Sequence, residues 1–398
     1  LQQRQLAAKH AAAAGLRKNL AGEDYYYLGM LHWIAENMDG TVESLGNYIS
    51  SADSESSSRR QTARSISIVA LAKQNKLEAA ESILADYRRA EPTRLTELAR
   101  IGAELAKAYQ KQRNFVRMAP HAEAAYDSSK ALLKEASSRA RGLDEILDAG
   151  MLVYEAFRDS GEQMRADQAL DDMRITAASV ESPSFYYYAV DQKIKYMIET
   201  GRKAAALSFY EAAKLSAQKE LTLKSAQSDV LSRLNKRDRH YKLLGEAPPE
   251  MPAIDNWFPG TPKTFADLKG KVVLVDFWAT WCGPCFEAFP HLIEWHQEFS
   301  RDGFEILGVT RYYGPNGGMP ADRPAEIEAL KLFRDKQKLP YDFIVAEGQS
   351  IQFLFGANTL PTAVLIDRKG VIRYIETGTS PSRMNQMREM LLKLIAEK

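Results

Sequence analysis

The chain has 398 residues and only two cysteines, which stand three positions apart in Trp281-Cys282-Gly283-Pro284-Cys285. Two sulfurs at that spacing can close a small disulfide ring, or work as a dithiol that exchanges disulfides with another molecule. A framework of structural bridges needs many scattered cysteines and is excluded. If the pair opens a helix, Cys282 meets free backbone amides and the positive end of the helix dipole, and both favour a thiolate. Cys282 is then the exposed nucleophile that forms a mixed disulfide. Cys285, one turn on, is the thiol that resolves it. Gly283 and Pro284 fix the ring geometry, and Pro284 falls in the first helical turn, where a missing N–H is tolerated.

Little else in the chain offers a reactive centre. The six histidines (His10, His32, His121, His240, His291 and His296) include no pair at helical metal spacing, so no structural metal is expected. No glycine-rich motif cradles a phosphate or dinucleotide, and no cofactor beyond the dithiol is expected. A formal net charge of +1 gives no reason to expect nucleic acid as a partner. No apolar stretch approaches the roughly 18 residues that span a bilayer. The chain begins at Leu1 rather than Met, as a processed or trimmed product would, and carries no visible signal peptide.

The elements that position the cysteines are legible around them. Lys271-Val272-Val273-Leu274-Val275-Asp276-Phe277 is a nearly continuous apolar run, which suits a central strand covered on both faces. Phe304 to Thr310, Thr362 to Asp367 and Val371 to Ile375 read as three further strands, the last two joined by the turn Arg368-Lys369-Gly370. Helices fit from Cys282 to Phe299, Arg323 to Lys338 and Pro381 to Lys398. The result is a mixed sheet with helices on both faces.

Texture changes sharply upstream. Thirteen of sixteen prolines lie after residue 245, and Gly245-Glu246-Ala247-Pro248-Pro249-Glu250-Met251-Pro252 reads as a linker. Residues 1–245 are rich in helix formers. Breaks near Asn75-Lys76, Arg113-Asn114, Ser160-Gly161 and Thr200-Gly201 recur at roughly forty residues, as in stacked helix pairs. The Ser-rich stretch Ser50 to Ser58 reads as an exposed loop. Tyr25-Tyr26-Tyr27 and Phe185-Tyr186-Tyr187-Tyr188 read as interhelical packing, with a partner-binding groove as the other reading. Lys236-Arg237-Asp238-Arg239-His240 reads as a solvated helix end.

The run from Lys271 through Cys285, with Leu268-Lys269-Gly270-Lys271, Phe289-Pro290 and Leu360-Pro361-Thr362, resembles thioredoxin-fold proteins, specifically the TlpA/ResA-like thiol–disulfide oxidoreductases. Following two of the helix breaks, Lys76 to Leu84 and Arg202 to Tyr210 resemble the second helix of a tetratricopeptide-like pair. The expected fold is therefore α + α/β: an all-α, TPR-like helical-repeat domain over residues 1–245, then a thioredoxin-fold domain over 246–398 with a central mixed sheet flanked by helices.

The resemblance assigns further roles. Pro361 matches a cis proline that faces the cysteine pair and leaves the Leu360 backbone to pair with an extended substrate chain; an ordinary trans proline at a strand start is the alternative. Asp276 matches a buried acid that takes the resolving thiol's proton, against the alternative of a locally bonded carboxylate. Trp281 would shield one side of the site and Trp278 pack beneath it. With Cys282, Cys285, Asp276 and Pro361 as catalytic residues, Trp281, Gly283, Pro284, Leu360 and Thr362 would contact substrate. Many family members carry a glutamate three positions after the second cysteine. Ala288 stands there in this chain, and the role is not transferred to Glu287. The segment Tyr312 to Pro320 either shapes partner access or is a free tip.

The resemblance implies an enzyme that reduces or exchanges disulfides in partner proteins, drawing on an electron-donor or acceptor protein, with the helical domain docking a partner. Gly283-Pro284 is typical of reducing members, which suggests a potential near about −270 mV. It also implies an extracytoplasmic site, commonly the bacterial periplasm or cell envelope. The absence of stray thiols fits such a compartment. In the alternative reading the helical repeats are a scaffold and the redox domain is accessory. A peroxidase is disfavoured because its reactive cysteine sits in a different local motif.

Overall fold

The computed structural model of the chain describes residues 2–17, 19–51 and 57–397. Twelve α-helices come first among these residues: α1 (Gln2–Gly15), α2 (Glu23–Ile34), α3 (Met38–Ser50), α4 (Ser57–Lys73), α5 (Leu77–Arg89), α6 (Leu95–Lys111), α7 (Phe115–Lys134), α8 (Arg139–Asp159), α9 (Gln163–Ser179), α10 (Pro183–Glu199), α11 (Lys203–Glu220) and α12 (Lys224–Leu243). There follow β1 (Ile254–Phe258), β2 (Val272–Phe277), α13 (Gly283–Phe299), β3 (Phe304–Arg311), α14 (Arg323–Gln337), β4 (Asp342–Ala346), α15 (Ser350–Phe355), β5 (Thr362–Ile366), β6 (Ile372–Thr377) and α16 (Pro381–Ala396). Of the Ser-rich stretch, Ser50 ends α3, Ser57 and Ser58 open α4, and residues 52–56 lie outside the described residues. No described helix is long and apolar enough to cross a membrane.

The chain divides into two compact units, residues 1–190 with 220–226, and residues 191–219 with 227–398. In the first, helices end by one repeated device. Asn75, Arg113, Gly161 and Glu181 take positive φ, and the next amide returns to the carbonyl five residues back: Lys76 N to Leu71 O at 2.9 Å, Asn114 N to Tyr109 O at 3.0 Å, Glu162 N to Phe157 O at 2.8 Å and Ser182 N to Ala177 O at 3.0 Å. This is the Schellman closure, which satisfies carbonyls that the helix end leaves open. Three of these stops coincide with the breaks read from sequence. The fourth, at Glu181, lacks a glycine or asparagine to signal it. Small residues let the helices approach: a Cβ on Gly102 would lie 2.7 Å from the His121 carbonyl oxygen. Tyr26 packs on Tyr48 at 5.2 Å and Tyr186 is fully buried, whereas Tyr27 is exposed.

The second unit holds a six-stranded mixed sheet in the order β1-β4-β3-β2-β5-β6. β2 lies inside it, parallel to β3 and antiparallel to β5, and all six of its residues are buried. That is why its sequence is apolar on both faces. β5 and β6 form the expected hairpin. Asp367 Oδ1 accepts from Lys369 N at 3.0 Å and Val371 N at 2.9 Å, and Gly370 supplies the positive φ of the turn. The four expected strands and three expected helices are present, with two strands beyond them. β1 lies within the Pro-rich connection and pairs antiparallel with β4, which follows Pro340. Both are short, and β1 carries a bulge.

The basic cluster on α12 departs from its reading as a solvated end. Arg237 and His240 are 6% and 2% exposed. Arg237 lies 3.4 Å from both Asp191 and Glu376, and Lys195 lies 2.7 Å from Asp191 and 3.0 Å from Glu376. Burial opposes charge on the two carboxyls, but Lys195 and Arg237 hold both below their ordinary range. His240 Nδ1 faces Arg237 at 2.9 Å and Nε2 faces the Gly356 carbonyl at 2.9 Å. Burial, then the Arg237 charge, push this histidine down to about 4, so it is neutral at pH 7. Helical spacing puts residues 237, 240 and 241 on one inward face, and their partners come from distant parts of the chain. The same region covers the outer edge of the sheet. Gly245 N donates to Ile372 O and Ile372 N to Glu246 O, both at 2.8 Å, and Arg237 Nη2 donates to Ile375 O at 3.1 Å. β6 thus has no open edge there to template association.

Removing one member of such a cluster strands its partners. Arg237→Met should destabilise the chain by about 3–5 kcal/mol, because two buried carboxylates lose a cation. Urea denaturation followed by tryptophan fluorescence would measure it, since Trp257, Trp278, Trp281 and Trp295 all report on the second unit. A loss below about 1 kcal/mol, the range of exposed pairs, would contradict the reading.

Candidate active site

The strand-to-helix junction builds the site. The β2 ladder runs one residue past the strand, where Trp278 N donates to Val309 O at 3.1 Å. The chain then turns, with Cys282 N on Ala279 O at 3.1 Å and Cys285 N on Cys282 O at 3.0 Å. Cys282 is the N-cap of α13 and Pro284 sits in its first turn. The two sulfurs are bonded at 2.02 Å, with the Cα atoms 5.3 Å apart. A thiol at the N-cap stands where unpaired amides and the helix dipole stabilise negative charge.

Cys282 is less open than the sequence suggests. In the disulfide form it is 4% exposed and Cys285 1%, both within the apolar cluster that contains Ala279, Ala288 and Phe289. The bond draws Cys282 toward Cys285, which lies on the inward face of α13. What faces solvent is Trp281, 55% exposed, with Gly283 and Pro284. Trp278 is fully buried and packs on Phe343 at 4.7 Å and on Phe333 at 5.2 Å. Glu287 is exposed and accepts from Thr379 Oγ1 at 3.1 Å, while Ala288 is buried.

Asp276 is 3% exposed. It shares a rung of the sheet with Gly308 on β3 and Ala363 on β5. Cross-strand partners point to the same face, so the carboxyl has two of the smallest side chains as neighbours. It belongs to the face on which Leu274 and Trp278 join the cluster around the cysteines. Its Oδ2 has no hydrogen-bond partner. Burial pushes its pKa up to about 7. A carboxyl poised there can take or give a proton near neutrality.

The Leu360–Pro361 peptide is cis. Thr362 pairs with Phe277 in the ladder, which puts Pro361 beside the end of β2 where the cysteine turn departs. Gly378 N donates to Pro361 O at 2.9 Å, and Thr362 Oγ1 donates to Thr359 O at 2.6 Å. Thr362 is fully buried and Leu360 half-buried, so of this pair Leu360 is the one open to a partner.

The Gly- and Pro-rich segment is docked on the site and is not a free tip. Trp281 meets the Tyr313 ring edge-on at 5.4 Å, and Thr280 Oγ1 donates to Gly317 O at 3.4 Å. Glu326 on α14 is 2% exposed and accepts from Tyr313 N at 2.7 Å and Gly314 N at 3.1 Å. Arg311 lies over the Tyr313 ring at 4.1 Å. Sequence reasoning missed Glu326. The N-cap Asp322, which accepts from Ala325 N at 2.8 Å, marks the helix start, but nothing local shows that this carboxylate turns inward.

Two outcomes follow from these geometries. The Asp276 pKa is raised on folding, so its stabilising effect is complete below the unfolded value and lost as pH rises through about 7. Asp276→Asn should therefore exceed the parent chain in stability at pH 8, by up to about 4 kcal/mol at about 1.4 kcal/mol per pH unit, with the gap closing near pH 4. Thermal unfolding across pH would show it, and a gap independent of pH would refute it. Glu326→Ala leaves two amides without their acceptor, a loss of about 1–3 kcal/mol. Limited proteolysis should then cut between Tyr312 and Pro320, where the parent chain resists.

The C-terminal part of the chain is similar to known proteins. A family model described as the AhpC/TSA family matches residues 249–375. The thiol-disulfide oxidoreductase ResA of a Bacillus cereus strain is 30% identical over 135 residues, 34% of this chain and 70% of that protein. The ResA of Bacillus thuringiensis (strain Al Hakam) is 29% identical over 135 residues, with the same shares. Among solved structures, the thioredoxin domain of a thiol-disulfide oxidoreductase from Bacteroides vulgatus is 22% identical, with a TM-score of 0.30 over 37% of this chain and 96% of that one. Because a ResA 30% identical to it is matched over 70% of that protein's length, the chain belongs to the ResA-like thiol–disulfide oxidoreductases of the thioredoxin fold.

Proposed function

We propose that the protein works as a reductase or exchanger of disulfides in partner proteins, with electrons carried by Cys282 and Cys285. The observation that carries this reading is the placement of Cys282 as N-cap of α13, with a buried acid of raised pKa on the sheet face that packs toward the same apolar cluster. In the reduced form, the Cys282 thiolate attacks a partner disulfide. A Cys282–partner bond forms and one partner thiolate leaves. Cys285 gives its proton to the Asp276 carboxylate and attacks the Cys282 sulfur. The Cys282–Cys285 disulfide forms and the second partner thiolate leaves. Two electrons have passed to the partner, and an electron-donor protein restores the dithiol. The sulfurs carry those electrons themselves, so the cycle needs no cofactor or metal.

Trp281, Gly283 and Pro284 supply the exposed surface around the pair, and Leu360, held by the Pro361 and Thr362 segment, offers backbone to an extended partner chain. Within residues 1–245, the TPR-like helices of the first unit, residues 1–190 with 220–226, serve as the docking module. The family resemblance and the lack of stray thiols support an extracytoplasmic address, in the bacterial periplasm or cell envelope.

Equilibration with glutathione or dithiothreitol buffers would give the potential of the pair. A value at or below about −250 mV is expected; one between about −120 and −180 mV would make the protein an oxidase or isomerase. Cys285→Ser should accumulate a mixed disulfide through Cys282, and Cys282→Ser should abolish exchange. Retention of the biological role by Cys282→Ser would favour the scaffold reading.

A further inference from the structure

Buried polar atoms without a partner are few in a folded protein, and each asks for a reason. Four of those among the described residues project from one face of three adjacent strands: Asp276 Oδ2, Trp278 Nε1, Thr310 Oγ1 and the Tyr341 hydroxyl. The registers establish the shared face. Asp276 pairs with Gly308, which pairs with Phe343 on β4; Trp278 and Thr310 lie two residues after the first two and Tyr341 two residues before Phe343, which keeps all of them on one face. Gly308 is the floor of the group. A Cβ there would lie 3.1 Å from Trp278 Nε1 and 3.2 Å from both Tyr341 Cε2 and Phe343 Cδ1. The indole N–H and the edge of the phenol therefore converge over the residue beside Asp276. Tyr341 is 3% exposed, and burial, then the Asp276 charge, keep its hydroxyl protonated at any ordinary pH. Trp278 N–H can only donate, and the neutral phenol can donate too.

We infer that Tyr341 is a positioning residue for disulfide exchange: its hydroxyl, with the Trp278 indole N–H, forms the donor pair that receives the Asp276 carboxylate whenever the buried acid is ionised. The inference rests on the exchange reading above and adds to it the device that lets a carboxyl in an apolar core ionise. While the acid holds the Cys285 proton, the donors are idle, which matches their unpartnered state. When the proton returns to sulfur, they turn to the carboxylate. The cysteines are joined in the oxidised chain and do not titrate, and the charged group of α14 at this place is Arg334, whose Nε donates to Tyr341 O at 3.0 Å. Further along the rung of Asp276 is Glu376, which is held with Lys195, Arg237 and, at 3.9 Å, Arg383 of α16; Tyr374 on β6 lies near it.

The test is the Asp276 carboxyl titration, followed by 13C NMR in the oxidised full chain. Loss of a donor to the ionised form raises an acid's pKa, so Tyr341→Phe should move the midpoint upward by about one unit. The pH profile of exchange with glutathione disulfide should shift the same way. Tyr374→Phe removes a buried unpartnered hydroxyl elsewhere on this face and should leave both unchanged. In the unaltered chain the Trp278 indole 15N–1H signal should titrate with the Asp276 midpoint, and that movement should vanish in Asp276→Asn. This measurement stands even where Tyr341→Phe does not fold. A folded Tyr341→Phe with an unmoved midpoint, or an indole signal flat across pH, overturns the inference. If the parent chain performs no exchange at all, the functional reading fails instead, whatever the titration shows.

Discussion

A strand buried on both faces passes the chain directly to the N-terminus of a helix, and the rest of the redox unit depends on that junction. β2 is apolar because β3 and β5 flank it and helices cover it. Its penultimate residue is the acid Asp276, the residue after the strand is Trp278, and the N-cap cysteine follows four residues later. A helix N-terminus concentrates free amides and positive potential, and here it follows a strand whose six residues are all buried. The reactive sulfurs therefore have a fixed place relative to Asp276 and Pro361, which reach the same end of the sheet along the neighbouring ladder.

The site holds a tension between stability and chemistry. A carboxyl in an apolar core is unfavourable when charged, and Asp276 has neither the cation nor the full set of hydrogen bonds that the other buried acids enjoy. Asp191 and Glu376 have Lys195 and Arg237, and Glu326 has two backbone amides. Lys195 and Arg237 keep Asp191 and Glu376 charged and Glu326 is tied to the backbone, whereas burial without a partner raises Asp276 to about 7. Partners rather than burial make the contrast, since all four acids are buried or nearly so.

The late helices take part in this unit as well as the sheet does. Residues 191–219 and 227–245 belong with it, where α12 covers the edge of β6 and supplies Arg237 and His240. An edge strand next to the Pro361 segment would otherwise offer open backbone groups to any passing chain.

By itself the sequence determined the chemistry and most of the frame. Two cysteines three apart after an apolar run, a proline-rich C-terminal part, a Leu-Pro-Thr before a second apolar run, and helix stops at Asn75, Arg113 and Gly161 are local signals, set by periodicity and backbone preference. Tertiary structure decided what such signals cannot carry. β1 and β4 are too short to declare themselves: β4 is held between β3 and β1, and β1 pairs with β4 alone. Arg237 and His240 read as a solvated basic end, but Asp191 comes from another helix, and Gly356, Ile375 and Glu376 lie more than a hundred residues away, so only the fold makes that face inward. The covering of Cys282, the inward turn of Glu326 and the convergence of Trp278 and Tyr341 over Gly308 were equally unreadable, because each is a contact between strands or helices distant in sequence. Local order follows from neighbouring residues, whereas burial and hydrogen-bond partnership follow from which surfaces the chain brings together.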